Sequence, residues 1–299
     1  MELVMNNKLS LRKKLAAFFL PVALISSSDT LNVPDSPLHQ DFLHKFTDNK
    51  ATSDEVLYLD ILSMNVRGLG IFSGGKNLRS ERFHELRKIG SQYDMIFMQE
   101  AFSGTNAIHD RNKHAYDYHP GFGHTILQTP GLRTFSSLPF KDTEAKAYKS
   151  CSGYFTKRSD CLASKGYQKV TVGRVNIINT HLDAGKDPKD SQARSDQLSE
   201  LESTFTDNQP VILLGDLNIH EIDENELEAF MKRKSLKIII RNRVDIILTN
   251  IPDLAVIDSK IIPLKKHRLS DHDGLSLRIS LPRDYLKPAV QGYTSASPS

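Results

Sequence analysis

Residues able to move protons or hold a hard cation recur at the ends of apolar, strand-like runs along this 299-residue chain. Asn65 closes the run Val56–Val66, and Glu100 follows the run Asp94–Gln99. Thr180-His181-Leu182-Asp183 ends a hairpin, Asp216 and Asn218 follow the run that begins at Val211, and Asp271 and His272 precede the run Leu275–Leu281. Each of these residues alone is an ordinary turn former. Gly215-Asp216-Leu217-Asn218 would pass as a turn, and Ser270-Asp271-His272 as a loop cap. Five strand ends that supply imidazoles, carboxylates and amides in order point instead to one site, because sheet ligands bind where strand ends and their loops converge. Imidazole transfers protons near neutral pH, and hard oxygen ligands suit magnesium-like cations.

The elements that must position these residues follow from periodicity. Leu78–Ile89 has helical spacing, with Leu78, Phe83, Leu86 and Ile89 on one side. The irregular stretch 101–165 has room for short strands at Gly131–Phe135 and near Tyr154. A strand pair, Gln168–Val172 and Arg174–Thr180, turns at Gly173. Then come a helix at Gln192–Phe205, a buried strand at Val211–Leu214 and a polar helix at Glu224–Lys234 with Leu227 and Phe230 inward. Strands at Leu236–Ile240, Val244–Leu248 and Leu275–Leu281 complete the order. Strand–helix–strand order occurs twice with hairpins between, which predicts two stacked mixed sheets between helical layers in one α/β domain over 56–287.

The ends read differently. Arg12, Lys13 and Lys14 precede the apolar run Leu15–Ile25, and Ser26–Ser28 follow. That order is the signature of a secretory signal peptide over 1–28, and the run is short of the ~20 residues of a membrane span. We therefore expect an exported chain, secreted or periplasmic, with no transmembrane span once matured. Residues 29–55 form a leader rich in Pro, Asp, Ser and His, and 288–299 reads as a disordered tail. In an oxidising compartment Cys151 and Cys161 can form a disulfide. The net charge of +3 is compatible with anionic substrates and selects none of them. We expect a monomer.

Several stretches together resemble the endonuclease/exonuclease/phosphatase superfamily, which includes deoxyribonuclease I, abasic-site endonucleases and neutral sphingomyelinases. They are Met64-Asn65-Val66-Arg67-Gly68-Leu69, Met98-Gln99-Glu100-Ala101-Phe102, Gly131-Leu132 through Ser137-Leu138-Pro139, and Asn179-Thr180-His181-Leu182-Asp183-Ala184. Arg194 with Gln197 and Leu201, Leu214 through Asn218, Val244 through Leu248, and Leu269-Ser270-Asp271-His272 continue the match in order. The resemblance implies a deoxyribonuclease I-like four-layer sandwich of two mixed β-sheets flanked by helices, and hydrolysis of a phosphodiester by an activated water. It places a magnesium ion, with manganese or calcium as alternatives, on Glu100 with Asn65 and Asp271. It makes His272 a general base or phosphate contact oriented by Asp245, and Asp216 the residue that positions or deprotonates water. His181 and Asn218, with Asn65, would contact the substrate phosphate.

Lys165-Gly166, Thr180 through Ala184 and the Arg194/Gln197 pair are most similar to bacterial and neutral sphingomyelinases. A phospholipid substrate with peripheral membrane contact is thus the first expectation, and a secreted nuclease the second. Lys165, Lys169, Arg174 and Lys232–Lys234 are candidate phosphate-backbone contacts for the latter. An inactive binding scaffold is the third. Two departures bear on the substrate: the chain has no Trp for an aromatic membrane-docking hairpin, and the stretch between Asn218 and Asp245 is short.

Overall fold

The computed structural model describes residues 56–68, 76–120, 130–153, 161, 164–206, 208–252 and 254–285. The expected signal peptide, leader, C-terminal tail and strand near Tyr154 lie outside these residues. No helix among the described residues is long and apolar enough to cross a membrane.

Two strand–helix–strand units form the frame. Strand β1 (Val56–Asn65), helix α1 (Lys76–Gly90) and strand β2 (Met95–Gln99) make the first, with β1 and β2 parallel and Asn65 level with Gln99. After β3 (Tyr116–Tyr118), β4 (Arg133–Ser136), β5 (Lys141–Ala147) and β6 (Gly166–Val172), the second unit runs through β7 (Val175–His181), α2 (Pro188–Glu202) and β8 (Val211–Asp216). Here β7 and β8 are parallel, with His181 level with Asp216. Helix α3 (Glu224–Arg233) and strands β9 (Lys237–Asn242), β10 (Asp245–Thr249), β11 (Ala255–Ile262) and β12 (Gly274–Pro282) close the chain.

The strands sort into two six-stranded sheets, β11-β12-β1-β2-β4-β3 and β5-β6-β7-β8-β10-β9. Each has one parallel pair among antiparallel neighbours, so both are mixed, as expected. Helix α1 covers one sheet through Phe83 and Leu86 against Leu62, Met64, Ile96 and Met98. On the other sheet, α2 and α3 seat Leu198, Leu201, Leu227 and Phe230 against Ile178, Leu213, Ile246 and Leu248. Burying side chains of this size yields about 1.5–3 kcal/mol each, which is what holds the layers together. Buried polar pairs bridge the facing sheets: Gln99 Nε2 donates to Asn179 Oδ1 at 2.7 Å, Asn179 Nδ2 to Met98 O at 3.0 Å, and Thr134 Oγ1 to Gln168 Oε1 at 2.8 Å. Buried bonds of this kind set the sheets in one relative position.

Some boundaries differ from expectation. Helix α2 begins at Pro188, four residues before the expected Gln192, because Asp187 caps it reciprocally with Asp190 and Pro188 starts the first turn. Its buried face includes Arg194 and Gln197, so apolar periodicity alone understates its length. Strands β3, β5 and β11 were not expected, and all three are sheet edges. The β5 and β11 residues are exposed or half-buried, and β3 is three residues long, so none presents an alternating apolar signal.

Candidate active site

Both parallel pairs end at the same side of the sandwich, and there the polar residues meet. Asn65 is the last residue of β1, and Glu100 follows β2. The chain passes between them tightly: Gly68 N donates to Glu100 O at 2.8 Å, and a Cβ on Gly68 would lie 2.3 Å from that oxygen. Arg67, Glu100 and Asn218 all hold left-handed backbone, with φ of 46°, 53° and 50°. Non-glycine residues are uncommon there, and such strain clusters at ligand sites. Gly215 (φ 141°) lets β8 approach β7 so closely that a Cβ would sit 1.9 Å from Thr180 O. That approach brings Asp216 beside His181.

Asp216 is the hub. It is buried, and its Oδ2 accepts from Asn65 Nδ2 at 3.0 Å and lies 3.3 Å from His181 Nε2 and 3.7 Å from His272 Nε2. Its Oδ1 accepts from the Asn218 backbone N–H at 3.3 Å. Asn65 Nδ2 also donates to Glu100 Oε1 at 3.3 Å, so one amide ties two carboxylates from different sheets. The imidazole of His272 is held by Asp245, whose carboxylate oxygens are 2.9 and 3.2 Å from Nδ1. Asp245 itself stands opposite Asp216 in the β8–β10 ladder.

Other residues hold the loops. Ser270 Oγ donates to Asn65 O at 2.6 Å and accepts from His272 N at 3.2 Å, pinning Ser270-Asp271-His272 to the end of β1. From α1, the Arg82 guanidinium donates to Val66 O (2.8 Å), Arg67 O (3.0 Å) and Leu269 O (3.0 Å), and so clamps the same two loops. Behind His181, Asp183 N donates to Gln197 Oε1 and Asp183 Oδ2 accepts from Ser152 N, both at 2.8 Å. Arg194, wholly buried, bonds Asp183 O and Gly185 O and pairs with Asp223 at 2.8 Å. Cys151 and Cys161 form a disulfide with Cα atoms 5.3 Å apart, next to Ser152.

The electrostatics follow from burial and crowding of like charges. Burial, with Asp245 nearby, pushes the Asp216 carboxyl up to about 6. Glu100 is also raised, mainly by burial, with Asp216 and Asp271 adding to it against Lys165 and Asn65. Burial, then the Lys165 and His272 charges, hold His181 well below the usual imidazole range, and its Nε2 lies 3.0 Å from Lys165 Nζ and 3.3 Å from Asp216 Oδ2. For His272 burial pulls down, but the Asp245 hydrogen bond and the Asp216 charge outweigh it and raise the imidazole to about 9.

Asn65, Glu100, His181, Asp216, Asn218, Asp245 and His272 are therefore brought together as the motifs implied. Two details differ from the expected roles. The Asn65 amide oxygen accepts from Arg67 N at 3.0 Å, so the amide turns donors, not its oxygen, toward the carboxylates. Asn218 Nδ2 likewise donates to Leu182 O at 3.0 Å. Asp271 stands at the rim, half exposed, 3.6 Å from Arg67 Nε. Lys165 was expected as part of the sphingomyelinase-like Lys165-Gly166 match and as a backbone-phosphate contact, with no place in the catalytic set. It is instead buried, with Nζ 3.0 Å from His181 Nε2. Its place just before β6 carries no local signal of this, since only the β6–β7 register, with Gly166 level with His181, reveals it.

The model of the Endonuclease/Exonuclease/phosphatase family matches residues 62–272, which covers every one of these side chains. The chain belongs to this family. No curated protein matches it in sequence. Solved structures with the same fold include an endonuclease/exonuclease/phosphatase from Beutenbergia cavernae (14% identity, TM-score 0.56, covering 75% of this chain and 72% of that one). Others are sphingomyelinase C from Streptomyces griseocarneus (15%, 0.54, 74% and 99%) and a mutant beta toxin from Staphylococcus aureus with bound magnesium ions (16%, 0.53, 74% and 99%). Members of the family are hydrolases of phosphoester bonds that use divalent metals.

The donor set in this member fits such an ion. Glu100 is a half-buried carboxylate crowded by Asp216 and Asp271, and an oxygen-seeking cation relieves that repulsion. Among the described residues, Asp216, Asp245 and His272 also bring ligand atoms within 4.8 Å of one another. In that group, however, His272 Nδ1 is already engaged by Asp245 at hydrogen-bond distance.

Proposed function

We propose that the protein is an exported, magnesium-dependent phosphodiesterase that cleaves a phospholipid by attack of an activated water. The observation that supports this most is Asp216: one buried carboxylate, bonded to Asn65 and Asn218 and facing two imidazoles, at the meeting point of both sheets. Glu100 with Asp271 would hold the ion, Asn65 acting by orienting Glu100 rather than as a direct ligand. The bound ion would supply Lewis-acid stabilisation of charge on the phosphoryl group.

The chain's own residues divide the rest. Asp216, fixed from two sides, accepts the proton of the attacking water. His272 is flanked by the carboxylates of Asp245 and Asp216, which favour its protonated form, so it acts as a cationic phosphate contact and not as the base. Lys165, whose Nζ donates to His181 Nε2 at 3.0 Å and is held in place by it, would face the developing charge as a fixed donor, which is worth most where no reorganisation is needed.

A nuclease is the second reading. Lys265, Lys266, His267 and Arg268 are exposed in the turn leading to His272 and would suit a polyanionic backbone. The deciding experiment is turnover of a bis-nitrophenyl phosphodiester, sphingomyelin and DNA, each with magnesium or EDTA. Equal rates with and without EDTA would refute the metal. Preference for DNA would select the nuclease. Mass spectrometry of the chain recovered outside the cell tests the export reading, with loss of about the first 28 residues expected.

A further inference from the structure

Strand β11 is the outer strand of its sheet, and among the described residues it pairs only with β12. Its other row of main-chain groups faces outward, which is the template for adding another strand. It is also apolar for an edge. Of the seven exposed large apolar residues among those described, Val256, Ile257 and Ile261 lie on β11, and Ile238 lies on β9, which packs beside it. Proteins commonly blunt such an edge with charges and bulges. This strand has a bulge between Val256 and Asp258, and an exposed ion pair joins Asp258 to Lys260.

The charges are arranged in a particular way. The segment Ile257-Asp258-Ser259-Lys260-Ile261 reverses its charge sign about Ser259. If two copies pair antiparallel about that residue, Ser259 meets Ser259, each Asp258 meets a Lys260, and each Ile257 meets an Ile261. Opposite charges directly across an antiparallel pair attract, and like charges repel. A register centred on Asp258 or on Lys260 places each of these residues against its own copy. The charges thus repel those two registers and attract in this one, which is how specificity against alternatives is built.

We propose that two copies of this chain associate through antiparallel pairing of β11 about Ser259. This departs from the monomer expected from sequence and does not depend on the phosphodiesterase reading. Only about five residues pair from each copy, so the contact belongs at the small, reversible end of interfaces.

Sedimentation equilibrium of the full chain tests it, with a dissociation constant on the order of 10–100 µM expected for so small a contact. Asp258→Lys alone and Lys260→Asp alone should each weaken association at least about tenfold, because like charges then face each other. An equimolar mixture of the two variants should restore a dimer, and so should the double reversal carried on one chain. Ser259→Cys should cross-link to itself on mild oxidation, since the native cysteines are already joined to each other. All three side chains are exposed or half-buried, so circular dichroism should be unchanged. A wild-type chain that stays monomeric above about 300 µM overturns the proposal, as do single variants that dimerise like wild type or a mixture that does not recover.

Discussion

Arg82 offers a sharp test of how the fold makes the site, since it touches none of the reacting groups. Its guanidinium donates to Val66, Arg67 and Leu269 carbonyls, joining the loop after Asn65 to the loop before Asp271 and His272, the latter reached 187 positions away from Arg82 in sequence. Hydrogen bonds made by charged groups contribute ~1.5–3 kcal/mol each when buried. The Arg67 bond is exposed and contributes little, so Arg82→Ala should cost about 2–4 kcal/mol. In a domain of this size that corresponds to a Tm lower by roughly 5–12 °C. Residues that orient metal ligands typically affect metal affinity or activity ~10–100-fold. We therefore expect kcat to fall by about that factor, with KM changed less than about threefold, as for an interaction felt in the transition state. Arg82→Lys should recover much of the stability but little of kcat, because an ammonium cannot span both loops as the planar fork does. Differential scanning fluorimetry and steady-state kinetics on the same preparations provide the comparison. If Arg82→Lys restores kcat along with Tm, or if Arg82→Ala lowers Tm alone, the guanidinium is structural and the positioning argument fails.

Further outcomes follow from the same geometry. Asp216→Asn should abolish more than about 99% of turnover while leaving Tm unchanged or higher, because it removes a buried carboxylate whose ionised form the fold disfavours; a lower Tm in calorimetry would contradict that electrostatic account. Asp245→Asn removes the charge that holds the His272 proton, so kcat should fall about 10-fold or more while circular dichroism stays native. Gly215→Ala should prevent folding or cost more than about 3 kcal/mol, since the added Cβ meets Thr180 O at 1.9 Å in a left-handed-side backbone; soluble, active protein would contradict the close approach of β7 and β8. Cys161→Ser should destabilise by about 2–3 kcal/mol, the loop-closure value for a bridge across 10 positions, read as a shift in urea midpoint.

The amino-acid sequence determined the buried centre of both sheets. The β2, β7, β8 and β10 strands are rich in apolar residues because they are covered on both faces, β1 and β12 alternate buried apolar residues with more exposed ones, and burial on that scale is written directly into residue type. The polar residues that interrupt those runs at their ends were legible for the same reason: Asn65, Glu100, His181, Asp216 and His272 stand out against apolar neighbours. What sequence could not show was anything settled by contact across the fold. Edges β3, β5 and β11 lack a buried face and so lack its pattern. The Asn65 amide could have offered oxygen or nitrogen to the site, and only the Arg67 N–H decided which. Lys165 looked like a surface cation until the β6–β7 register set it against His181. Asp216 would be an ordinary acid in water; burial among other carboxylates, contributed by strands far apart in sequence, is what moves its proton affinity toward neutrality.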